Sequence, residues 1–136
     1  MFDKLFEIAE IESSRTNDSF FSTKGRVEYW EKLKKQAEFI THMAAGYPVG
    51  FIAFYCNNNS TKESFISLIV VSQEFKGKRI GAALVDSVIN ISKLRGFTSC
   101  SLEVKTDNKL AINLYKSKGF LIAAEEDGKY KMVATL

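Results

Sequence analysis

Residues 70–81 have the composition of an anion-binding loop. An apolar run ends at Val71, and Lys76, Lys78 and Arg79 then lead directly into a helical pattern. The first turn of a helix has backbone N–H groups without partners and carries about half a positive charge. Because glycine in such a loop lets a ligand approach the backbone closely, these residue types predict a pyrophosphate site. A solvated basic turn has the same composition and stays an alternative.

The loop differs from the two best-known phosphate-binding motifs. It has no Gly-Lys-Ser/Thr, so it is not a P-loop, and it lacks the third glycine of the dinucleotide-binding pattern. The prediction is therefore a pyrophosphate held at a helix start, with basic side chains adding mobile positive charge.

A second segment, residues 108–120, places polar residues at the start of an amphipathic helix. Helical spacing puts Ala111, Leu114 and Tyr115 on one face, and Asn108 stands where an N-cap belongs. An aromatic residue beside a leucine at this spacing is ordinarily part of the core. On the residues alone, packing is the first interpretation of Tyr115.

The two segments together resemble the GNAT superfamily of N-acetyltransferases, which use acetyl-coenzyme A. Lys76-Gly77-Lys78-Arg79-Ile80-Gly81 matches the family's Arg/Gln-Gly-x-Gly-x-Gly/Ala loop, and residues 108–120 match its Asn-x-x-Ala-x-x-Leu-Tyr-x-x-x-Gly-Phe segment. The resemblance covers residues 39–136. Two departures stand in the loop: Lys76 where the family usually has Arg or Gln, and Arg79 where it usually has Gly. Lysine keeps the charge and loses the bidentate geometry of arginine.

The resemblance implies that acetyl-CoA lies along the end of a strand, the loop and the following helix start. In the family this strand splays from its parallel neighbour, and the pantetheine arm hydrogen-bonds to the exposed backbone. A backbone N–H near Val70 or Val71 then polarises the thioester carbonyl, and the Tyr115 hydroxyl protonates the leaving thiolate. The residues assigned to the cofactor on this basis are Ile69, Val70, Val71, Lys76, Gly77, Lys78, Arg79, Ile80, Gly81, Ala82, Asn108 and Tyr115.

The sequence identifies the general base less clearly than it identifies the cofactor-binding residues. An amine nucleophile must lose a proton, which needs a carboxylate, a histidine or a water chain. Glu63, just before the central strand, lies near where some family members carry a catalytic Glu. Ser67 in that strand and His42, the one histidine, are the other candidates. Each also has a structural interpretation: a carboxylate at a turn, a strand hydroxyl and a surface histidine.

Hydrophobic periodicity and turn residues predict the elements that position these residues. Helices are expected at residues 2–13, 27–38, 80–94 and 109–118, and strands at 39–44, 49–55, 65–71, 98–104, 120–124 and 129–135. Residues 13–23 are expected to form a loop, and Gly46-Tyr47-Pro48 and Asp127-Gly128 the hairpin turns. The nearly continuous apolar run 65–71 predicts a strand covered on both faces.

This order predicts a mixed α/β (α+β) fold, antiparallel in its first part and with βαβ crossovers in its second. The resemblance implies a GNAT-like central mixed sheet of about six strands, with a splayed parallel pair at its centre and about four flanking helices. The family's usual first strand is hard to find, because the chain starts directly in a helical pattern.

The composition bounds the class of protein. With 136 residues, 46% of them hydrophobic and 26% charged, the chain is expected to fold as one domain, and intrinsic disorder is excluded. Residues 1–75 carry eight Lys/Arg and ten Asp/Glu, whereas residues 76–136 carry eleven and six. An anionic ligand is therefore expected in the second half, and the total excess of +3 is too small to indicate nucleic acid.

Location and partners follow from what the sequence lacks. Its apolar runs are shorter than a membrane span, and its N-terminus has no secretion-signal pattern, so we expect a cytoplasmic protein that binds neither membrane nor nucleic acid. Cys56 and Cys100 have no partner at metal-ligand spacing and are expected to be buried structural thiols. No metal is implied, and the expected state is a monomer or homodimer.

The functional hypothesis is a single GNAT-like domain over residues 1–136 that transfers acetyl from acetyl-CoA directly to a primary amine of a small molecule. Residues 39–136 form the acetyl-CoA-binding core, and residues 1–38 a helical acceptor-side segment. The acceptor is expected against residues 13–38 and the first hairpin, where Phe20, Phe21, Tyr29, Trp30 and Tyr47 either offer it a face or pack the core. A looser resemblance to small GNAT proteins acting on amino-sugar nucleotides suggests an amino sugar or its nucleotide.

Two other functions are compatible with the sequence. The altered loop and the unidentified base allow a catalytically inactive, CoA-binding regulatory domain. The basic second half allows a nucleic-acid module, although residues 76–79 contain no aromatic side chain between the basic ones.

Overall fold

The helices and strands follow one another in the predicted order. The computed structural model describes residues 1–16 and 25–136. Its elements are α1 (Phe2–Thr16), α2 (Arg26–Gln36), β1 (Glu38–Ala44), β2 (Tyr47–Tyr55), β3 (Glu63–Val71), α3 (Ile80–Leu94), β4 (Ser99–Lys105), α4 (Lys109–Ser117), β5 (Phe120–Glu126) and β6 (Lys129–Thr135).

The ends of the two N-terminal helices differ from the prediction. Helix α1 continues to Thr16, so residues 13–16 are helical and not part of a loop. Helix α2 ends at Gln36, because Ala37 is already extended, with φ −89° and ψ 159°, and Glu38 belongs to β1. The rest of the predicted loop lies outside the described residues.

The six strands form one sheet in the order β1-β2-β3-β4-β6-β5. Strands β3 and β4 are parallel, from Glu63 opposite Ser99 to Ile66 opposite Leu102, and α3 connects them. Strand β6 is antiparallel to both β4 and β5. The predicted mixed sheet with a βαβ crossover is confirmed.

Two tight turns close the hairpins. Ala45 and Gly46 have φ of 51° and 84°, and Asp127 and Gly128 have φ of 53° and 75°. Two successive residues with positive φ are typical of a type I′ turn, whose twist matches that of a hairpin. The turn at Asp127-Gly128 is confirmed, whereas the first turn precedes its predicted position, since β2 already begins at Tyr47.

The described chain divides into two compact units. The first contains Met1–Ala53 and Leu68–Leu84, and the second contains Phe54–Ser67 and Val85–Leu136. Strand β3 therefore begins in the second unit and ends in the first, and α3 begins in the first and ends in the second.

Aromatic rings form much of the core of the first unit. The Trp30 ring of α2 lies edge-on to the rings of Phe39 and Phe51, with 5.7 and 5.9 Å between the ring centres. It stacks on the Phe6 ring of α1, with 5.3 Å between the ring centres. The helices thus bury their apolar faces against side chains of β1 and β2, as their periodicity predicts.

The second unit buries both cysteines. Cys56 and Cys100 are free thiols, as expected. Burial raises the pKa of the Cys100 thiol to about 11. Ser64 and Ser92 are buried beside them, with 2.7 Å between their hydroxyl oxygens and 3.8 Å from Cys56 Sγ to Ser92 Oγ.

Strand β3 is fully buried on one face only. Ser64, Ile66, Leu68 and Val70 are buried, whereas the alternate residues from Glu63 to Val71 are half-exposed. The prediction that both faces are covered is therefore wrong. A continuous apolar run does not require burial of every side chain, because much of a folded protein's accessible surface is apolar.

Candidate active site

The junction between β3 and α3, within the first unit, is the segment predicted to bind an anion. Strand β3 ends at Val71, residues 73–75 form one turn of 3-10 helix, and α3 begins at Ile80. Residues 76–79 are all exposed. Gly77 has φ +81°, and a Cβ built there meets nothing within 4 Å, so the loop is open to solvent.

The first turn of α3 presents backbone N–H groups. The N–H of Ala83 donates to the carbonyl of Arg79 at 3.1 Å. The N–H groups of Ile80, Gly81 and Ala82 precede this bond and have no acceptor within the helix. Helix α3 has 15 residues, so its N-terminus carries a substantial partial positive charge. This donor set fits a pyrophosphate.

Arg79 has the backbone conformation for which glycine is favoured. Its φ is 63°, in the left-handed region. A side chain there costs about 1–2 kcal/mol. Glycine, which the resembled pattern has at this position, adopts this conformation without that cost. The exposed Arg79 side chain adds a charge beside the helix start.

The Lys76 ammonium lies 2.8 Å from Oε2 of Glu12, a residue of α1 whose side chain is 6% exposed. A carboxylate thus pairs with Lys76, whose side chain is 40% exposed, and the contact of Lys76 with a phosphate stays a prediction. The Lys78 ammonium lies 5.1 Å from the centre of the Phe75 ring. The three basic residues of the loop, Lys76, Lys78 and Arg79, are all exposed, and Lys76 is the one that pairs with Glu12.

The contact between Glu12 and the loop is not among the predictions, although the sequence contains a signal for a buried partner of Glu12. Leu5, Ala9 and Glu12 stand at i, i+4 and i+7 of α1, and all three are buried. A carboxylate in an apolar stripe indicates a buried partner. The spacing alone does not identify which basic residue provides it.

The end of β3 combines a buried and a half-exposed face. Val70 is buried, whereas Ile69 and Val71 are half-exposed. The N–H of Ser72 donates to the carbonyl of Val49 in β2 at 2.8 Å. The backbone immediately after the predicted pantetheine-binding residues is thus held by the neighbouring strand.

Asn108, in the second unit, caps α4. Its Oδ1 accepts the N–H of Ala111 at 3.2 Å. The predicted N-cap is confirmed. Since this bond uses the side-chain oxygen, the two Nδ2 hydrogens are the donors with which Asn108 can contact a ligand.

Tyr115 lies on the buried face of α4 and is 6% exposed. Its ring is edge-on to that of Phe120, with 5.9 Å between the ring centres. The ring therefore packs in the second unit, as the interpretation from residue spacing predicts. The catalytic role of its hydroxyl stays a prediction.

Glu63 begins β3 and lies in the second unit. The Ser101 hydroxyl donates to its Oε1 at 2.9 Å, and the Lys131 ammonium is 3.8 Å from the same oxygen. Glu63, Phe65 and Ser101 line an open pocket of about 320 Å³ on the sheet. Of the other candidate bases, Ser67 is half-buried and His42 is exposed.

The predicted site residues are thus found in both units. The first unit holds residues 69–71 together with the loop and helix start at 76–82, and the second holds Glu63, Asn108 and Tyr115.

The aromatic residues proposed for the acceptor have different surroundings. Trp30 is buried in the core of the first unit, so its ring offers no face to a ligand. Tyr29 is half-buried. Tyr47 is 62% exposed, and the Lys4 ammonium lies 4.8 Å from its ring centre. Phe20 and Phe21 lie outside the described residues.

The part of the chain that the structure describes has neither a metal-ligand cluster nor a membrane-spanning helix. Among residues 1–16 and 25–136, no group of three or more His, Cys, Asp or Glu side chains could hold a metal ion. None of the helices described there combines the length and the apolar character that crossing a bilayer requires.

Known sequences match most of the chain. A sequence model of the acetyltransferase (GNAT) family matches residues 5–120. An uncharacterized N-acetyltransferase of Methanocaldococcus jannaschii is 38% identical over 98 residues, or 68% of this chain and 43% of that protein. N-alpha-acetyltransferase 30 of Schizosaccharomyces pombe is 27% identical over 64 residues, 47% of this chain and 43% of that protein. The chain spans less than half the length of the curated relatives it matches.

A solved structure shares the fold over nearly the whole chain. The PaiA N-acetyltransferase from Thermoplasma acidophilum, in complex with coenzyme A, superposes with a TM-score of 0.80. The superposition covers 99% of this chain and 92% of that one, at 18% sequence identity.

Proposed function

Because this chain belongs to the acetyltransferase (GNAT) family, we propose that it transfers the acetyl group of acetyl-CoA directly to a primary amine of a small molecule. The observation that carries this proposal is the start of α3. There, the first-turn amides of Ile80, Gly81 and Ala82 follow an exposed basic loop, an arrangement that suits a pyrophosphate.

The proposed cofactor contacts follow the order of the chain. Residues Gly77–Ala82 would bind the pyrophosphate through backbone N–H groups, with Lys78 and Arg79 adding charge. The backbone of Ile69–Val71 would bind the pantetheine arm, and Asn108 would donate from Nδ2. When bound, acetyl-CoA supplies an activated acetyl group as a thioester.

Three groups of the protein are proposed to act on the reacting atoms: a backbone N–H, a general acid and a general base. A backbone N–H of Val70 or Val71 would stabilise the negative charge that develops on the carbonyl oxygen, an effect worth about 3–4 kcal/mol in other enzymes. The Tyr115 hydroxyl would give its proton to the departing sulfur. Glu63 would take the proton that the amine loses; its hydrogen bond from Ser101 orients the carboxylate beside the open pocket.

The acceptor is best sought with a screen that reports coenzyme A release. Acetyl-CoA is incubated with the protein and, separately, polyamines, amino sugars, amino-sugar nucleotides, amino acids and short peptides with free N-termini. Peptides are included because one relative is named for N-alpha acetylation. Thiol release with a small amine and not with peptides supports the proposal. Thiol release with peptides alone would contradict the small-molecule acceptor and show that the acceptor is a peptide N-terminus.

The alternative is a catalytically inactive CoA-binding regulatory domain. It predicts that coenzyme A raises the melting temperature while no amine causes thiol release. If acetyl-CoA neither raises the melting temperature nor releases thiol, both functions are wrong.

A further inference from the structure

The Glu12 carboxylate of α1 contacts the chain segment that leads into the basic loop. Glu12 is 4% exposed. Its Oε1 accepts the backbone N–H of Gln73 at 2.9 Å, and its Oε2 accepts the Lys76 ammonium at 2.8 Å. A buried carboxylate needs hydrogen bonds and an opposite charge in place of its water. One short segment supplies both.

The segment between these two contacts is a hydrogen-bonded turn. The N–H of Phe75 donates to the Ser72 carbonyl at 2.9 Å, and the N–H of Lys76 donates to the Gln73 carbonyl at 3.3 Å. Glu12 therefore holds the turn at its first residue through the backbone and just after its last residue through a side chain. Gly77, with φ +81°, follows directly.

We propose that Glu12 is a positioning residue for the pyrophosphate loop, and that Lys76 is its counter-ion and makes no bond to phosphate. This role rests on the proposed function, because it requires that the loop binds acetyl-CoA. Glu12 fixes the position of the backbone at residues 73–76, immediately before Gly77 and the first-turn amides of α3. The side-chain charge that acts on the ligand then comes from Lys78 and Arg79.

A charge-matched pair of double variants isolates the bond from Glu12 to the loop backbone. Both Glu12→Gln/Lys76→Met and Glu12→Ala/Lys76→Met remove one negative and one positive charge. Glutamine keeps an oxygen that accepts the Gln73 N–H, and alanine does not. The two proteins therefore carry the same charge and differ in the backbone contact and in the buried side-chain volume, which the Leu5→Ala control addresses.

The readouts are the Kd of coenzyme A by calorimetry and amide hydrogen exchange of residues 73–83 in the free protein. We expect the glutamine variant to bind within about twofold of wild type and the alanine variant about tenfold more weakly, with faster exchange in the loop. Lys78→Met should weaken binding and reduce its salt dependence, whereas the glutamine variant should keep the wild-type salt dependence. Leu5→Ala, in the same helix, controls for lost stability and should leave the Kd unchanged.

Three other outcomes would each contradict a different part of the proposal. Equal Kd values and equal exchange in the matched pair would overturn the positioning role alone. A reduced salt dependence in the glutamine variant would make Lys76 a phosphate ligand. Wild-type protein that takes up no coenzyme A would overturn the proposed function, and this role with it.

Discussion

Gly50 of β2 lies so close to Val70 of β3 that a Cβ built on Gly50 stands 3.0 Å from the Val70 carbonyl oxygen. The same Cβ is 3.3 Å from Cγ2 of Ile80, the first residue of α3. The end of β3 and the beginning of α3 therefore both pack against the backbone of Gly50. This contact helps to set the position at which the strand leads into the loop.

We expect Gly50→Ala to lower the free energy of unfolding by about 1–3 kcal/mol, because a backbone atom cannot move aside without shifting a strand. The affinity for coenzyme A should fall as well, since the loop begins from the displaced strand. Gly96→Ala is the control: its φ is +80° and its Cβ meets nothing within 4 Å, so it costs stability only. Wild-type coenzyme A affinity in Gly50→Ala would show that the contact does not set the loop.

Arg79 carries backbone strain that a glycine relieves. With φ at 63°, Arg79→Gly removes a steric cost of about 1–2 kcal/mol and adds about 0.5–1 kcal/mol of chain entropy. We expect urea denaturation to give it at least wild-type stability. Arg79→Val also removes the guanidinium charge. It should be less stable than Arg79→Gly by about 1–2 kcal/mol, because a β-branched side chain is unfavourable at positive φ. Equal stability of the two variants would remove the strain argument.

Features with a local cause could be predicted from the sequence. The bounds of α3 are correct, because its apolar face repeats at helical spacing up to the terminating Gly96. The Asp127-Gly128 turn and the Asn108 cap are equally local, since each depends on residues within one turn of the chain.

Features with a distant cause could not be predicted. Glu12 and Lys76 are 64 residues apart in the chain, and an ion pair has no characteristic spacing. One local feature also differs from the prediction: the first hairpin turn comes earlier, because Ala45 adopts a positive φ that alanine rarely takes. The half-exposed face of β3 differs from the prediction because composition does not tell which neighbour covers a strand.

The buried Cys100 thiol predicts a loss of stability at alkaline pH. Its pKa is raised to about 11 from 9.0, chiefly by burial. The unfolded chain therefore loses this proton first, so the free energy of unfolding falls as the pH rises from 9 to 11. At about 1.4 kcal/mol per pKa unit, the loss approaches about 3 kcal/mol. Urea denaturation of wild type and Cys100→Ala across this range should show the extra slope in wild type alone; parallel curves would contradict it.

Asn108 combines an observed structural role with a proposed ligand contact, and two substitutions separate them. Asn108→Ala should cost about 1 kcal/mol of stability, because the N–H of Ala111 loses its acceptor. Asn108→Ser keeps a capping oxygen and should keep stability, yet it lacks the Nδ2 donors. Weaker coenzyme A binding by the stable serine variant supports the contact. Unchanged binding in calorimetry would leave Asn108 as a cap only.

Tyr115→Phe tests the proposed acid without disturbing the packing of its ring. The phenylalanine keeps the edge-on contact with Phe120 at 5.9 Å, so the melting temperature and the Kd of coenzyme A should stay near wild type. The departing sulfur loses its proton donor, and kcat with an accepted amine should fall about 100-fold or more. Tyr130→Phe, on β6 of the same unit, is the matched control and should keep wild-type kcat. An unchanged kcat in Tyr115→Phe would leave the residue as part of the core and assign protonation of the thiolate to another group or to water.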